Sequence, residues 1–261
     1  GGVAYLRRFR DFLGRVLVFL FRRNVVAHFG LPQRSGRILR GNIGDPYLFI
    51  KMERMVDAVL GRRNWVSYNC TKGLSGADLF LINHFARFVL VGGHGLIMKH
   101  DETARAGWLF NIPVCTLREI RVPMVFASIG YNSFRGETPF GAAFRESISC
   151  CIERSVFFGL RNEGSIRSLM PYVDAEALRK KVMLQPCPTT MAGCSAPQSR
   201  EPQRGAVAIC LAFDRFSNRF PSGFDGLQSQ LLQYASAVRE LARTVSFVVH
   251  APCDLDNEFC A

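Results

Sequence analysis

Three short stretches of the sequence combine glycines with side chains that bind anions or transfer protons. They are residues 41–45 (GNIGD), 92–95 (GGHG) and 161–165 (RNEGS). The guanidinium group of an arginine binds a carboxylate or a phosphate through two parallel hydrogen bonds. Aspartate and histidine serve as general acids or bases when their pKa values suit the reaction. Together these residue types predict a site that holds an anionic substrate and transfers protons.

The first stretch is predicted to open a helix. Asp45 followed by Pro46 is typical of a helix start, because aspartate is a good N-cap and proline fits the first helical position. Asn42 and Gly44 shape the preceding loop, and a glycine-rich loop before a helix is suited to holding an anion. Two interpretations stay open for Asp45, a group that accepts a hydroxyl proton and a plain helix cap. Turn chemistry alone also explains Asn42 and Gly44.

The second stretch follows a predicted strand. Gly92, Gly93 and Gly95 would let the backbone approach a ligand closely, or would only allow tight packing after the strand. His94 is a candidate acid–base group if its ring faces a cleft. The alternative is that this histidine is incidental to function.

The third stretch carries the arginine. Arg161 follows a strand and precedes a helix start, which makes it our candidate for binding a carboxylate or phosphate. The alternative is a surface arginine that pairs with Glu163 or Asp45. Ser165 is expected either to bond a phosphate at the helix start or to cap the helix.

The elements that must position these groups form an α/β pattern. Apolar strands are predicted at residues 88–91, 123–129, 156–160 and 182–184, with helices between them and a glycine or polar loop after each strand. Such alternation indicates a doubly wound parallel sheet. Ligands bind such sheets beyond the carboxyl ends of the strands.

The sequence divides into four predicted parts. Residues 1–30 form a basic amphipathic N-terminal segment, and residues 31–191 form an N-terminal Rossmann-like domain. Residues 192–205 are rich in Gly, Ser, Pro, Gln and Arg and are predicted to be a linker. Residues 206–261 show one strand–helix–strand unit, which is too small to be stable alone. We therefore expect the first part of a second Rossmann-like domain that is cut short.

The N-terminal segment has apolar side chains at helical spacing, interleaved with arginines. The apolar residues are Leu6, Phe9, Leu13, Val16 and Leu20. The pattern fits a basic amphipathic helix lying on an anionic membrane surface. It fits equally a helix of the domain whose charged side faces solvent.

Composition narrows the classes of partner. Lys and Arg number 33 against 21 Asp and Glu, a net charge of +12, which favours anionic partners. The sequence lacks zinc-finger spacing and RNA-recognition aromatics, so we expect no nucleic-acid partner.

The nine cysteines form no CxxC pair, which indicates reduced thiols in a cytoplasmic protein and no metal site. No apolar run reaches the roughly 18 residues of a membrane-spanning helix.

Four pieces, taken in order, resemble the polysaccharide pyruvyl transferase family: residues 41–45, 89–95, 125–130 and 161–165. The Pro-Cys-Pro turn at 186–188 also lies where that family has a similar turn. The resemblance extends over roughly residues 38 to 255. Glycine-rich loops after strands are common in α/β proteins, so the resemblance rests on the order of the pieces along the chain.

The resemblance implies a fold and a reaction. The fold is glycosyltransferase-B-like, with two Rossmann-like domains and an active site in the cleft between them. The reaction transfers pyruvate from phosphoenolpyruvate to a sugar of a polysaccharide or cell-surface glycan, giving a pyruvate ketal. The implied acceptor is a saccharide or lipid-linked glycan of exopolysaccharide biosynthesis at the cell envelope. Phosphoenolpyruvate is the donor substrate, and no cofactor or metal is expected. The implied location is cytoplasmic and peripheral on the inner face of an anionic membrane.

Under this resemblance the candidate residues take roles. Asp45 and His94 are expected to be catalytic. The expected substrate-binding residues are Arg161, Ser165, Asn42, Gly44, Gly92, Gly93 and Gly95.

The sequence also departs from the family pattern. His94 lies where the family usually shows only glycine, and Asn162 lies where an aspartate is common. The family carries an Arg and His pair late in its second domain, and this sequence stops at Ala261 before that region, so we expect the truncated chain to be inactive alone. Two alternatives stay open, a sugar-nucleotide-dependent glycosyltransferase of the same fold and an inactive membrane-surface fragment.

Overall fold

The computed structural model describes residues 2–31, 44–99, 105–134, 136–192, 206–211, 222–239 and 244–249. The strands are β1 (Val25–Gly30), β2 (Asn64–Asn69), β3 (Ala86–Gly92), β4 (Met124–Ile129), β5 (Ser155–Leu160), β6 (Val182–Leu184), β7 (Ala206–Leu211) and β8 (Thr244–Val249). The helices are α1 (Gly2–Phe21), α2 (Gly44–Leu60), α3 (Gly76–Phe85), α4 (Val114–Glu119), α5 (Ala142–Arg154), α6 (Glu163–Leu169), α7 (Glu176–Arg179), α8 (Pro188–Ala192) and α9 (Gly223–Arg239). The chain divides into two compact units, one around strands β1 to β6 and one containing β7 and β8.

Strands β1 to β6 form one parallel sheet in the order β2-β1-β3-β4-β5-β6. The predicted α/β class with a parallel sheet is confirmed. From β1 the chain crosses to β2 on one side, and from β2 it returns past β1 to β3 on the other side. The direction of winding therefore reverses between β1 and β3. In open α/β sheets, ligands bind beyond the carboxyl ends of the strands at such a point.

The main hydrophobic core lies between one face of this sheet and helices α1, α3, α4 and α5. Its centre is aromatic: Trp108 meets Phe110 and Phe144, and Phe110 meets Phe126, at ring-centroid distances of 5.5 to 5.9 Å. The indole nitrogen of Trp108 donates to the hydroxyl of buried Ser147 at 2.9 Å. Because interiors of this kind are close-packed, the sheet is a rigid support for the loops at its edges. A smaller core lies on the opposite face, beneath α2.

Helix α1 packs on the main core through one face. Phe19 is buried there, and Arg15 donates to the Asp78 carboxylate of α3 at 2.9 Å from Nε and 3.3 Å from Nη2. The Arg15 guanidinium also lies 5.3 Å from the centre of the Tyr68 ring. Asp78 in turn accepts from the hydroxyl of Ser75, the N-cap of α3. On this face α1 is a helix of the domain.

The opposite face of α1 is apolar and exposed. Its large side chains, exposed by 43% to 77%, are Leu13, Leu20, Phe9, Leu17 and Phe21. Val16 packs against the main core instead. Of the apolar set that the sequence pattern identifies, Phe9, Leu13 and Leu20 are therefore on the exposed face and Val16 is on the other, and the side chain of Leu6 lies outside the described part.

Two strands of the sheet were not predicted, and one of them moves a domain boundary. Strand β1 is buried along its whole length and lies inside the sheet, although residues 1–30 were assigned to a separate N-terminal segment. The six-stranded sheet thus begins before the expected boundary at residue 31. Strand β2 forms the edge beside β1. The predicted linker lies almost entirely outside the described residues.

The second unit contains a strand–helix–strand arrangement. Strands β7 and β8 pair in parallel, and α9 lies between them in the chain. Among the helices described in both units, none is long and apolar enough to cross a membrane.

Candidate functional site

The carboxyl edge of the parallel sheet gathers most of the predicted site residues. The GGHG stretch at 92–95 ends β3, Arg161 follows β5 directly, and α2 begins at Gly44 after β1. Because these strands are parallel neighbours or near neighbours, their ends lie along one edge. Asn42 lies outside the described residues. Asp45 is placed in the first turn of α2, one residue inside the helix, and its side chain lies outside the described part.

Close packing explains why residues 92 and 93 are glycines. A Cβ at Gly92 would lie 2.0 Å from the carbonyl oxygen of Ala127 on β4, so any side chain there would force the two strands apart. Gly93 has a φ of +82°, which residues with side chains rarely adopt, and its N–H donates to the same carbonyl at 3.1 Å. A Cβ at Gly93 would lie 3.4 Å from the carbonyl oxygen of Leu48 in α2, so the glycines let the β3 loop pass close to that helix.

Gly95 and Gly130 make room for Arg161. A Cβ at Gly130 would lie 2.0 Å from Arg161 Nε and 2.3 Å from Arg161 Nη2, so the guanidinium group lies directly over this glycine. A Cβ at Gly95 would lie 3.1 Å from Arg161 Nη2 and 2.0 Å from Asn132 Nδ2. The Arg161 N–H donates to the carbonyl of Ile129 at 3.0 Å, which fixes the start of the side chain. Arg161 therefore lies across the ends of β4 and the β3 loop, with its Nε and Nη2 atoms buried.

Asn132 joins this group although the sequence did not single it out. Its amide lies against Gly95, and its N–H donates to the carbonyl of Ile97 at 2.8 Å. Ile97 also forms an isolated parallel bridge with Tyr131, and this bridge connects the loop that follows β3 to the loop that follows β4. The signal that could have revealed Asn132 is its place three residues after a buried strand, where polar side chains of α/β proteins meet ligands.

Ser165 links the backbone after β4 to the start of helix α6. Its hydroxyl accepts from the N–H of Tyr131 at 3.0 Å, and its own N–H donates to the side chain of Asn162 at 2.7 Å. Asn162 is the N-cap of α6, so the capping role belongs to Asn162 and not to Ser165. Ser165 is buried, and it holds the backbone after β4 beside α6.

A bulge in β4 sets the direction of the residues that follow it. The pairing of β4 with β5 shifts register between Phe126 and Ile129. Ser128 lies within the shift and has a φ of +51°, which is uncommon for a residue with a side chain. Gln185 Oε1 accepts from the Ser128 N–H at 2.8 Å, and the Ser128 hydroxyl donates to the carbonyl of Pro186 at 2.9 Å. The turn at 186–188 thus braces the bulge, and bulges re-aim side chains beside functional sites.

Two histidine rings are buried at this edge, that of His28 on β1 and that of His94 in the loop after β3. His28 of β1 stacks on Phe49 of α2 with ring centroids 3.6 Å apart, and its Nδ1 lies 3.1 Å from Glu53 Oε1. Since a carboxylate only accepts, the His28 nitrogen donates. His94 is fully buried, and a Cβ at Gly30 would lie 2.8 Å from its Nε2. The expectation that His94 faces an open cleft is therefore corrected: its ring is enclosed between β1 and α2.

Electrostatics distinguish His28 from a surface histidine. Burial, the largest effect, lowers the pKa of His28 below its ordinary value, and the nearby His94 lowers it further. The Glu53 carboxylate acts in the opposite direction, because it stabilises the protonated ring. The sequence signal for this cluster was a single polar residue in the apolar run of β1, together with the i, i+4 spacing of Phe49 and Glu53 on α2.

The described residues offer no group of three or more His, Cys, Asp or Glu side chains arranged to hold a metal ion. Comparison of the chain with protein-family models, curated proteins and solved structures found no match. What the carboxyl edge offers is the guanidinium group of Arg161 lying over Gly130, the neighbouring amide of Asn132, and helix α2 packed close to Gly93. These groups suit a substrate that carries a carboxylate or a phosphate.

Proposed function

We propose that this protein transfers pyruvate from phosphoenolpyruvate to two hydroxyl groups of a sugar, forming a cyclic ketal and releasing inorganic phosphate. The observation that carries the proposal is the position of the Arg161 guanidinium over Gly130 and beside Gly95. The planar fork of a guanidinium group binds a carboxylate or phosphate through two parallel hydrogen bonds, and the donor has both groups. The ordered resemblance of the glycine and arginine stretches to pyruvyl transferases supports the same donor.

The reaction sets the demands on the site. The methylene carbon of phosphoenolpyruvate gains a proton and becomes a methyl group, which leaves positive charge on C2. A sugar hydroxyl oxygen bonds to C2 and loses its proton, and the C2–O bond to phosphate breaks with the electron pair leaving on phosphate. The second hydroxyl then bonds to C2 and loses its proton. Bound phosphate and carboxylate must be neutralised throughout, which an arginine does without itself transferring a proton.

Each residue at the edge takes a part in this proposal. Arg161 binds the donor, and Asn132 donates a hydrogen bond to it from the adjacent loop. Asp45, in the first turn of α2, accepts the proton of a sugar hydroxyl. His94 belongs to the glycine loop and positions it, because its ring is buried against Gly30.

The proposal includes a fold and a location. The unit with β1 to β6 would be one Rossmann-like half of a glycosyltransferase-B-like protein, and β7, α9 and β8 would belong to the other half. The acceptor would be a saccharide or lipid-linked glycan at the cytoplasmic face of the membrane, in exopolysaccharide biosynthesis.

Binding of phosphoenolpyruvate, measured by isothermal titration calorimetry, tests the assignment of Arg161. Charge-assisted hydrogen bonds are worth about 1.5–3 kcal/mol, so Arg161→Ala should weaken binding about ten- to hundredfold. Arg161→Lys keeps the charge and loses the fork, and should recover only part of the affinity. Arg167→Ala is the matched control, since Arg167 is exposed on the nearby helix α6.

A second assay addresses the reaction itself. Phosphate release from phosphoenolpyruvate should require a saccharide acceptor and should fall with the same Arg161 variants. Unchanged binding by Arg161→Ala would remove the donor assignment. Binding of a sugar nucleotide, together with no binding of phosphoenolpyruvate, would favour a sugar-nucleotide-dependent glycosyltransferase instead.

A further inference from the structure

The amino-terminal edge of the parallel sheet is strongly basic. Each of its six strands is introduced by Arg or Lys, either within the three residues before the strand or at its second residue. These cationic residues are Arg22, Arg23, Arg62, Arg63, Arg87, Arg121, Arg154, Arg179, Lys180 and Lys181. Among these positions around the six strand starts, Glu153 is the one acidic residue. Because all six strands are parallel, these side chains lie along one edge, opposite the candidate site.

Helix capping explains only part of this charge. Arg154 donates to the carbonyl of Ile120, and Lys181 donates to the carbonyl of Glu153 at the end of α5 at 2.8 Å. Cations at such positions complement the helix dipole. Arg22 and Arg23 instead lie on the short exposed connection between α1 and β1, beyond the helix end.

Two open clefts at this edge are lined by arginines. One, of about 690 Å³, has Arg118, Arg121 and Arg154 in its walls. The other, of about 460 Å³, has Arg22 and Arg62 in its walls. Clefts with several guanidinium groups suit the phosphates of lipid head groups.

An exposed apolar surface adjoins the second cleft. Helix α1 ends at Phe21, four residues before the start of β1, so its last turns lie at the amino-terminal edge. Leu17, Leu20 and Phe21 are exposed by 56%, 51% and 77%. The corner surface, defined as these three residues with Arg22, Arg23 and Arg62, therefore joins apolar side chains to cations.

We propose that the corner surface docks on an anionic lipid bilayer, with the apolar side chains inserted at the head-group boundary and the arginines paired with lipid phosphates. Interfacial helices combine these two features. A nucleic acid would leave the apolar side chains without a role. A second copy of the chain would place its own arginines against those of the first, and the repulsion between these positive charges is unfavourable. The inference concerns a surface and does not depend on pyruvyl transfer at the opposite edge.

Co-sedimentation of the full chain with vesicles tests the proposal. Vesicles of phosphatidylcholine with phosphatidylglycerol should bind the protein, and vesicles of phosphatidylcholine alone should bind it at least tenfold less. Arg22→Gln with Arg62→Gln should lower the partition coefficient at least about tenfold, since each cation near an anionic surface contributes about 1 kcal/mol. Leu17→Gln with Phe21→Gln should weaken binding by a similar factor and blunt its dependence on acyl-chain packing.

Matched variants away from the corner surface serve as controls. Arg167→Gln on α6 changes one charge, and Leu232→Gln on α9 changes a leucine that is 63% exposed; both should bind vesicles like the parent chain. Circular dichroism should show that all variants are folded, as the altered side chains are exposed. Equal binding to both vesicle types, or equal loss in the controls, would overturn the proposal. So would a dimer in solution that the Leu17 and Phe21 changes dissociate without vesicle binding, or an RNA duplex that outcompetes the vesicles.

Discussion

Replacing Gly130 by alanine should displace Arg161 from the candidate site while leaving the protein folded. The new Cβ would lie 2.0 Å from Arg161 Nε and 2.3 Å from its Cζ. Non-bonded heavy atoms settle at about 3.5–4.0 Å, so the guanidinium must move by about 1.5 Å. A displacement of this size would break the charge-assisted hydrogen bonds to the donor, which are worth about 1.5–3 kcal/mol. We therefore expect Gly130→Ala to weaken phosphoenolpyruvate binding ten- to hundredfold.

The stability of the same variant should change little. The atoms that the methyl group meets are the far end of a long side chain, and the backbone of Gly130 is outside the left-handed region. We expect the free energy of unfolding to change by about 1 kcal/mol or less. Urea unfolding followed by tryptophan fluorescence measures this, and titration calorimetry measures binding.

Gly92→Ala is the matched comparison, because its methyl group would meet backbone. The Cβ would lie 2.0 Å from the carbonyl oxygen of Ala127, so strands β3 and β4 would have to separate. Overpacking of this kind costs about 3 kcal/mol. Parent-like binding by Gly130→Ala, or a loss of stability as large as that of Gly92→Ala, would refute the geometry deduced for Arg161.

Two further predictions concern stability. Asp78→Ala should lower the free energy of unfolding, measured by urea denaturation, by about 3 kcal/mol, because Arg15 and the Ser75 cap of α3 both lose the carboxylate that accepts their hydrogen bonds. Asp174→Ala is the control and should have no measurable effect, since that carboxylate is 86% exposed. His28 has a folded-state pKa below the unfolded value of 6.5. Its contribution to the free energy of unfolding should therefore be complete above pH 6.5 and should decrease as the pH falls toward the folded-state pKa. His28→Gln, which leaves Glu53 in place, should flatten stability between pH 7 and 5; an unchanged slope in urea titrations would contradict this.

The fold class was predictable because apolar runs of four to seven residues followed by a glycine or a polar loop are typical of buried parallel strands. β3, β4 and β5 were found this way, and each is buried in its second half. β1 was missed because the histidine in its apolar run and the helix directly before it hide the strand pattern. β2 was missed because its exposed Ser67 and half-buried Asn64 weaken the apolar signal.

The candidate site was predictable only as separate pieces. That the GGHG loop and Arg161 meet depends on strand order, which places β4 between β3 and β5 and which no local pattern specifies. Gly130, over which Arg161 lies, comes directly after the strand that carries the bulge at Ser128. The pairing of His28 with Glu53 joins residues 25 positions apart through the packing of α2 on β1. Local propensity carries no information about such contacts between elements.

The β4 bulge connects the described features of the carboxyl edge. A regular β4 would keep its pairing with β5 past Phe126, whereas the observed register shift lets Ser128 adopt a φ of +51°. Such a conformation persists only where surrounding contacts over-determine it. Gln185 and Pro186 supply those contacts from the end of β6. Since strained backbone held by several hydrogen bonds clusters at ligand sites, the bulge is an argument, independent of Arg161, that this edge of the sheet is the functional one.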